Sequence, residues 1–190
     1  RNMASKNWSK PAKELTTKLS EPIAANLLFK GTPTIVCPEP TPFGFGRVLL
    51  ERETLRVKIP STVAAAEHGE YCNKQVLNWL KAQARSTFNN ETFTLCRELG
   101  LQYNNIAIKD TRSRWGSCSG KTNLNFNWRL IMAPPDVLRY VVVHETAHLQ
   151  EMNHSERFWA LVQQRCPDYR RHRDWLKKHA GEILNWQLRL

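Results

Sequence analysis

The sequence predicts an α+β fold in which a small mixed or antiparallel sheet packs against helices. Three observations carry this expectation. Leu124, Phe126, Trp128 and Leu130 alternate with Asn123, Asn125, Asn127 and Arg129, a period of two that gives a strand one apolar face. Val57 and Ile59 alternate in the same way with Arg56 and Lys58. The stretch Lys74 to Leu99 instead spreads Val76, Leu77, Leu80, Ala84 and Phe88 among charged residues, as a helix with one packed side would. A length of 190 residues suits one such domain with a short appendage.

Taken in order, residues 1–43 read as an N-terminal arm and linker. The arm holds a helix over Pro11 to Phe29, and the Pro- and Thr-rich run GTPTIVCPEPTPFGFG follows as linker. The main folded domain is expected over 44–190. RVLLERETLRVKIP then reads as two strands joined by a turn at Glu51-Arg52-Glu53. The helix from Lys74 to Leu99 carries a candidate break at Asn89-Asn90, and Ile106 and Ile108 mark a short strand. Ser119 to Thr122 forms a turn into a strand spanning Asn123 to Ile131. Pro134-Pro135 opens a helix from Asp136 to about Met152, because proline suits a first helical turn and Asp136 adds favourable charge there. Ser155 caps the next helix, Glu156 to Arg165, which Cys166-Pro167 ends. A last helix covers Tyr169 to His179 and stops near Gly181.

Composition narrows the chemistry. The five cysteines (Cys37, Cys72, Cys96, Cys118 and Cys166) are odd in number, widely spaced and form no CxxC pair. That argues against a disulfide framework and against a cysteine–zinc site, leaving histidine and carboxylate as metal ligands. No apolar run approaches the roughly 18 to 20 residues that span a bilayer, and no signal-type stretch follows the basic N-terminus. A soluble, cytoplasmic protein without membrane contact is therefore expected. A net charge of +11 and a pI of about 9.7 favour an anionic partner such as nucleic acid or nucleotide, although a solvated basic helix face explains the run YRRHRDWLKKH equally well.

The informative segment is His144-Glu145-Thr146-Ala147-His148. On a helix, residues four apart share a face one turn apart, so both imidazoles reach one ion while Glu145 sits beside its water without being a ligand. His154, six residues on, is the expected third ligand, with Asn153 in a left-handed conformation turning the chain toward the ion. Three protein ligands leave an open position, as in catalytic zinc sites, whereas structural zinc is normally closed by four. Zn2+ is thus the expected cofactor, another divalent metal the variant, with Glu145 as catalytic acid/base.

WGSCS, LNFNWRL and VVVHETAHLQEMNHSERFW resemble the YgjP-type metal-dependent hydrolases (the DUF45 domain), which are grouped with zincin-like metallopeptidases. The resemblance covers Arg47 to about His179 and is most specific from Arg112 to Trp159; the arm before Phe43 lies outside it. It implies a zincin-like domain, a His144, His148 and His154 metal site, and Glu145 as catalytic acid/base. The family usually has leucine where Thr146 stands.

The substrate is read less narrowly. Peptide hydrolysis calls for an extended substrate beside the metal, and the strand Asn123 to Ile131 is the expected edge. Hydrolysis of a nucleotide or phosphoanhydride calls for cations, with Arg112, Arg114, Arg129, Arg157 and Arg173 as candidates. A basic nucleic-acid-binding protein with a non-catalytic metal is the alternative of another class. Trp115 reads as packing, Gly116 as backbone geometry and Cys118 as a small buried residue. Phe158 and Trp159 read as helix packing, and Tyr169, His172 and Arg173 as solvent-facing helix residues or stabilisers of an anionic intermediate. His68 and His179 receive no role.

Overall fold

The computed structural model describes residues 23–188. Seven strands and four helices follow in the order β1 (Ile23–Phe29), β2 (Thr32–Thr41), β3 (Arg47–Glu51), β4 (Thr54–Pro60), α1 (His68–Leu99), β5 (Asn105–Lys109), β6 (Gly116–Cys118), β7 (Asn123–Asn127), α2 (Pro135–Ala147), α3 (Glu156–Arg165) and α4 (Tyr169–Leu184). The strands form two mixed sheets, ordered β1-β2-β4-β3 and β5-β7-β6. The α+β expectation with small mixed sheets is met. No helix among the described residues is long and apolar enough to cross a membrane.

The N-terminal reading needs correction. The part of the expected Pro11–Phe29 helix before Ile23 lies outside the described residues, and the rest is strand β1. The expected linker is largely strand β2, which pairs antiparallel with β1 and parallel with β4. Proline content hid this strand. Pro38 and Pro40 share a parity, so their missing N–H groups fall on one side, and among the described residues β1 pairs only with Thr32–Val36. Lys30 and Gly31 turn the hairpin with φ of 53° and 80°, the positive values a tight two-residue turn requires. The same turn docks on the rest of the chain, with Lys30 N donating to Ile131 O at 2.8 Å and Gly31 N to Met132 O at 3.0 Å. A Cβ at Gly31 would stand 3.1 Å from Pro134, so the close approach also favours glycine.

The β3–β4 hairpin forms as expected, with Arg52 at φ 55° in its turn. Helix α1 runs unbroken through Asn89 and Asn90, both of which face solvent. Its buried stripe Cys72, Val76, Leu80, Ala84 and Phe88 has the four-residue spacing of one helix face. Phe88 stacks on Phe126 at 4.4 Å and so fixes α1 to strand β7. Strand β7 ends at Asn127, short of the expected Ile131. Asn127 accepts a hydrogen bond from Arg129 N at 3.0 Å and donates to Thr111 O at 2.6 Å, turning the chain into the 3-10 segment Trp128–Met132. Leu130, Ile131 and Met132 are buried consecutively there, which breaks the period of two.

Candidate metal centre and cleft

Helix α2 is buried nearly all round: Val137, Leu138 and Tyr140 to Val143 pack into the core, followed by Glu145, Thr146 and Ala147. Pro135 occupies its first turn as expected, but the helix ends at Ala147 rather than near Met152. Its early end brings His148 to the cap and lets residues 149–155 fold back across it. Asn153 keeps a negative φ, so the chain reverses without the left-handed residue expected there. Ser155 caps α3 as anticipated, its hydroxyl accepting from Phe158 N at 3.3 Å, and His154 stands immediately before this cap.

These elements bring His144, His148 and His154 together, with one ring nitrogen from each lying within 4.8 Å of the others. Phe158, fully buried, floors the cluster with its ring centroid 4.9, 4.5 and 4.7 Å from the three imidazoles in turn. Trp159 flanks His154 at 5.8 Å. Both aromatics pack α3 against α2, as the sequence suggested, and they also shape the site.

The protonation pattern suits a cation. His148 Nδ1–H donates to the Glu151 carbonyl at 3.0 Å, which leaves its Nε2 lone pair free to face the cluster. Burial, followed by the neighbouring His148, His154 and Arg173, pushes His144 down to about 3. Burial likewise lowers His148, against the opposing Glu151 carbonyl. Neutral imidazole is the form that ligates metal. The His144 and His154 Nε2 atoms stand 3.1 Å apart, near the roughly 3.3 Å separating two nitrogens on a tetrahedral zinc. The donor set and its spacing therefore fit zinc. His144 Nδ1 is buried and makes no hydrogen bond among the described residues.

Glu145 is 5% exposed, and burial pushes its carboxyl up to about 8. It lies against strand β6 at Gly116. A Cβ on Gly116 would stand 2.6 Å from Glu145 Oε1, 2.7 Å from Cγ and 2.8 Å from Cδ. Gly116 is thus required by space, because its φ is not positive and its own conformation is open to other residues. Cys118 donates to Ser119 O at 3.6 Å, and burial followed by the Glu145 charge raises its thiol, so it fits the small-residue reading better than that of a nucleophile.

A cleft of about 390 Å3 opens beside His144 and Glu145, walled by Trp115, Gly116, Tyr140 and Leu176 and carrying Arg114, Arg173 and Lys177. Of the five arginines proposed from sequence, Arg114 and Arg173 reach this cleft. Arg129 pairs with Asp110 beside a different cavity, Arg157 is exposed and faces Glu151 at 3.9 Å, and Arg112 is exposed outside the lining. Tyr169 and His172 are buried and Arg173 half-buried, so the solvent-facing reading of these three is corrected. Lys177 and Tyr140 went unnoticed in the sequence. The spacing of Tyr169, Arg173 and Lys177 at four-residue intervals on one α4 face was the signal for the first of them. The edge expectation is also corrected: β7 is the central strand between β5 and β6, its hydrogen-bonding sides already paired, and β6 lies at the edge.

An α+β fold that gathers three imidazoles beside a buried glutamate on one helix defines the class, a metal-dependent hydrolase of the metallopeptidase type. The chain belongs to the YgjP-like family, matching its metallopeptidase domain over residues 20–179. That match begins well before Arg47 and takes in both N-terminal strands. Among solved structures, the metallopeptidase zymogen of Pyrococcus abyssi abylysin is similar at 20% identity and a TM-score of 0.44, covering 48% of this chain and 93% of that one. The metallopeptidase zymogen of Methanocaldococcus jannaschii jannalysin is similar at 21% identity and a TM-score of 0.40, covering 47% and 95%. No curated protein sequence matches the chain.

Proposed function

We propose that the chain is a zinc metallopeptidase in which His144, His148 and His154 hold the ion and Glu145 is the general acid/base. The convergence of the three ring nitrogens within 4.8 Å, next to a buried carboxylate, carries this reading. When bound, zinc supplies Lewis acidity that polarises a scissile carbonyl and acidifies water. Glu145 takes a proton from that water on its carboxylate and returns it to the departing amine. The backbone of edge strand β6, which meets Glu145 at Gly116, is placed to pair with an extended peptide.

The test combines elemental analysis with peptide hydrolysis on wild type, His148→Ala and Glu145→Gln. The expected result is about one zinc per wild-type chain, loss of metal and activity in the first variant, and loss of activity alone in the second. Full activity in metal-loaded Glu145→Gln would remove Glu145 from the mechanism. A nucleotide panel run alongside examines the phosphoanhydride reading, which Arg114 and Arg173 in the cleft keep in view.

A further inference from the structure

Arg114, Trp115 and Gly116 line both the cleft beside the metal centre and a second cleft of about 310 Å3. Together the two expose Lys109, Arg114, Arg173 and Lys177, and among the described residues lining them the one carboxylate is Glu145. Several cations elsewhere are paired: Arg56 meets Glu39 and Glu51, Arg129 meets Asp110, and Arg139 meets Glu91. Arg114 and Arg173 form no ion pair among the described residues. Lys177 has only a loose contact of 4.0 Å with Asp174, both side chains being largely exposed.

Arg173 is the best defined of these cations. Its guanidinium lies over Trp159, 5.4 Å from the ring centroid, and Trp159 in turn stacks on Tyr169 at 5.3 Å. Stacking holds the planar fork in place, so less rotamer freedom is lost when it binds a ligand. Its Nε is buried and makes no hydrogen bond among the described residues. A planar carboxylate matches that fork with two parallel N–H···O bonds.

We infer that Arg173, with Arg114 and Lys177, forms a carboxylate-binding subsite that directs the enzyme to peptides bearing a carboxylate close to the scissile bond. The inference rests on the peptidase reading and adds its substrate class. The carboxylate has two sources, an aspartate or glutamate side chain and the peptide's own C-terminus, and both present the same chemistry to the fork. The subsite selects substrate, while Glu145 moves the proton.

Calorimetric titration on metal-loaded Glu145→Gln protein tests it, since that variant reports binding without turnover. The probes are a neutral, C-terminally amidated octapeptide, a series walking one glutamate along it, and the neutral sequence as free acid. At least one glutamate position, or the free acid, is expected to bind about ten-fold tighter than the neutral amide. Tight binding by the glutamate series assigns the side chain, and by the free acid the C-terminus. Adding R173Q should remove the preference, while R173K should retain part of it as a point charge without the fork. R114Q/K177Q, at two exposed side chains, should weaken it without affecting the fold. Equal binding of all peptides would overturn the subsite, as would a preference that survives R173Q. Cleavage of the neutral and acidic peptides by wild type at equal kcat/KM would reject the subsite and leave the peptidase standing. Absence of cleavage of every peptide, with pyrophosphate competing for Arg173, would overturn both.

Discussion

Replacing Gly116 by alanine isolates the placement of Glu145 from metal binding. The added methyl carbon would stand 2.6 Å from Oε1, 2.7 Å from Cγ and 2.8 Å from Cδ of Glu145. Ordinary non-bonded contacts lie near 3.5 to 4 Å, so the side chain must retreat by about 1 Å. Swinging the carboxylate alone does not relieve the clash, because Cγ is as close as the oxygen. Glu145 is 5% exposed and has little room to go elsewhere. A displacement of about 1 Å in a reacting group costs on the order of a hundred-fold in rate. Overpacking adds about 1 to 3 kcal/mol of destabilisation, visible in thermal melting. The assay is kcat/KM of metal-loaded G116A on a cleaved peptide, with zinc content measured on the same sample. A roughly hundred-fold loss at full zinc occupancy is expected. In an E145Q background the same substitution should cost almost nothing further, since the two changes act through one group. Wild-type activity in G116A, or an undiminished additional loss in E145Q, would refute the claim that Gly116 acts by making room for Glu145.

Three further outcomes follow from the packing. Ser155→Ala removes the α3 cap and should cost about 1 kcal/mol in urea denaturation, together with weaker zinc retention against a chelator, because His154 directly precedes that cap. Thr146 borders a cavity of about 170 Å3 with Leu95, Val143 and Leu161, and its hydroxyl only returns to its own helix at Val142 O. Thr146→Leu should therefore stabilise by about 1 kcal/mol, raising Tm by roughly 2 to 4 °C with the metal site unchanged. At Glu39, burial raises the carboxyl, but hydrogen bonds and charges from Lys58 and Arg56 outweigh it and hold the group below the usual range. Its folded pKa is thus below its unfolded one, so its stabilisation is complete above the ordinary glutamate pKa and fades as pH falls through the folded value. Wild type should exceed Glu39→Gln in stability near pH 7 and lose that margin as pH falls through the lowered pKa of the folded state; an unchanged margin would count against the pairing.

What was legible in the sequence was local. Two histidines four apart declare a shared helix face, Ser155 before Glu156 declares a cap, and Val57 and Ile59 declare a half-buried strand, because each pattern depends on neighbours within one turn or one pleat. The N-terminal strands were hidden by competing local signals. Three prolines in β2 imitate a linker until pairing shows which side of the strand needs donors. The end of α2 was obscured for another reason. Leu149 to Met152 contains no strong helix breaker, and the chain leaves the helix there because residues beyond it pack back over His148. The alternation through Leu130 misled because 3-10 burial and strand burial coincide over a few residues.

The cleft groups furthest from sequence view are those whose reason for existing lies on another element. Gly116 precedes Glu145 by 29 positions, and no pattern near Trp115-Gly116-Ser117 says that a carboxylate fills its missing side chain. Reading the glycine as backbone geometry was sound on local grounds, yet its φ is ordinary and the explanation is space. Arg173 is the parallel case on the charged side. In the run YRRHRDWLKKH it is one cation among many, and only the packing of α4 against α2 and α3 separates it from Arg170 and Arg171. One substitution at each position therefore probes a different property of the same cleft. G116A should change kcat with metal retained, because it moves Glu145, the proposed acid/base. R173Q should act mainly on KM for carboxylate-bearing peptides, because it removes a ground-state contact. If both variants altered kcat alone, Arg173 would act on the developing charge of the reaction instead of on the substrate's carboxylate.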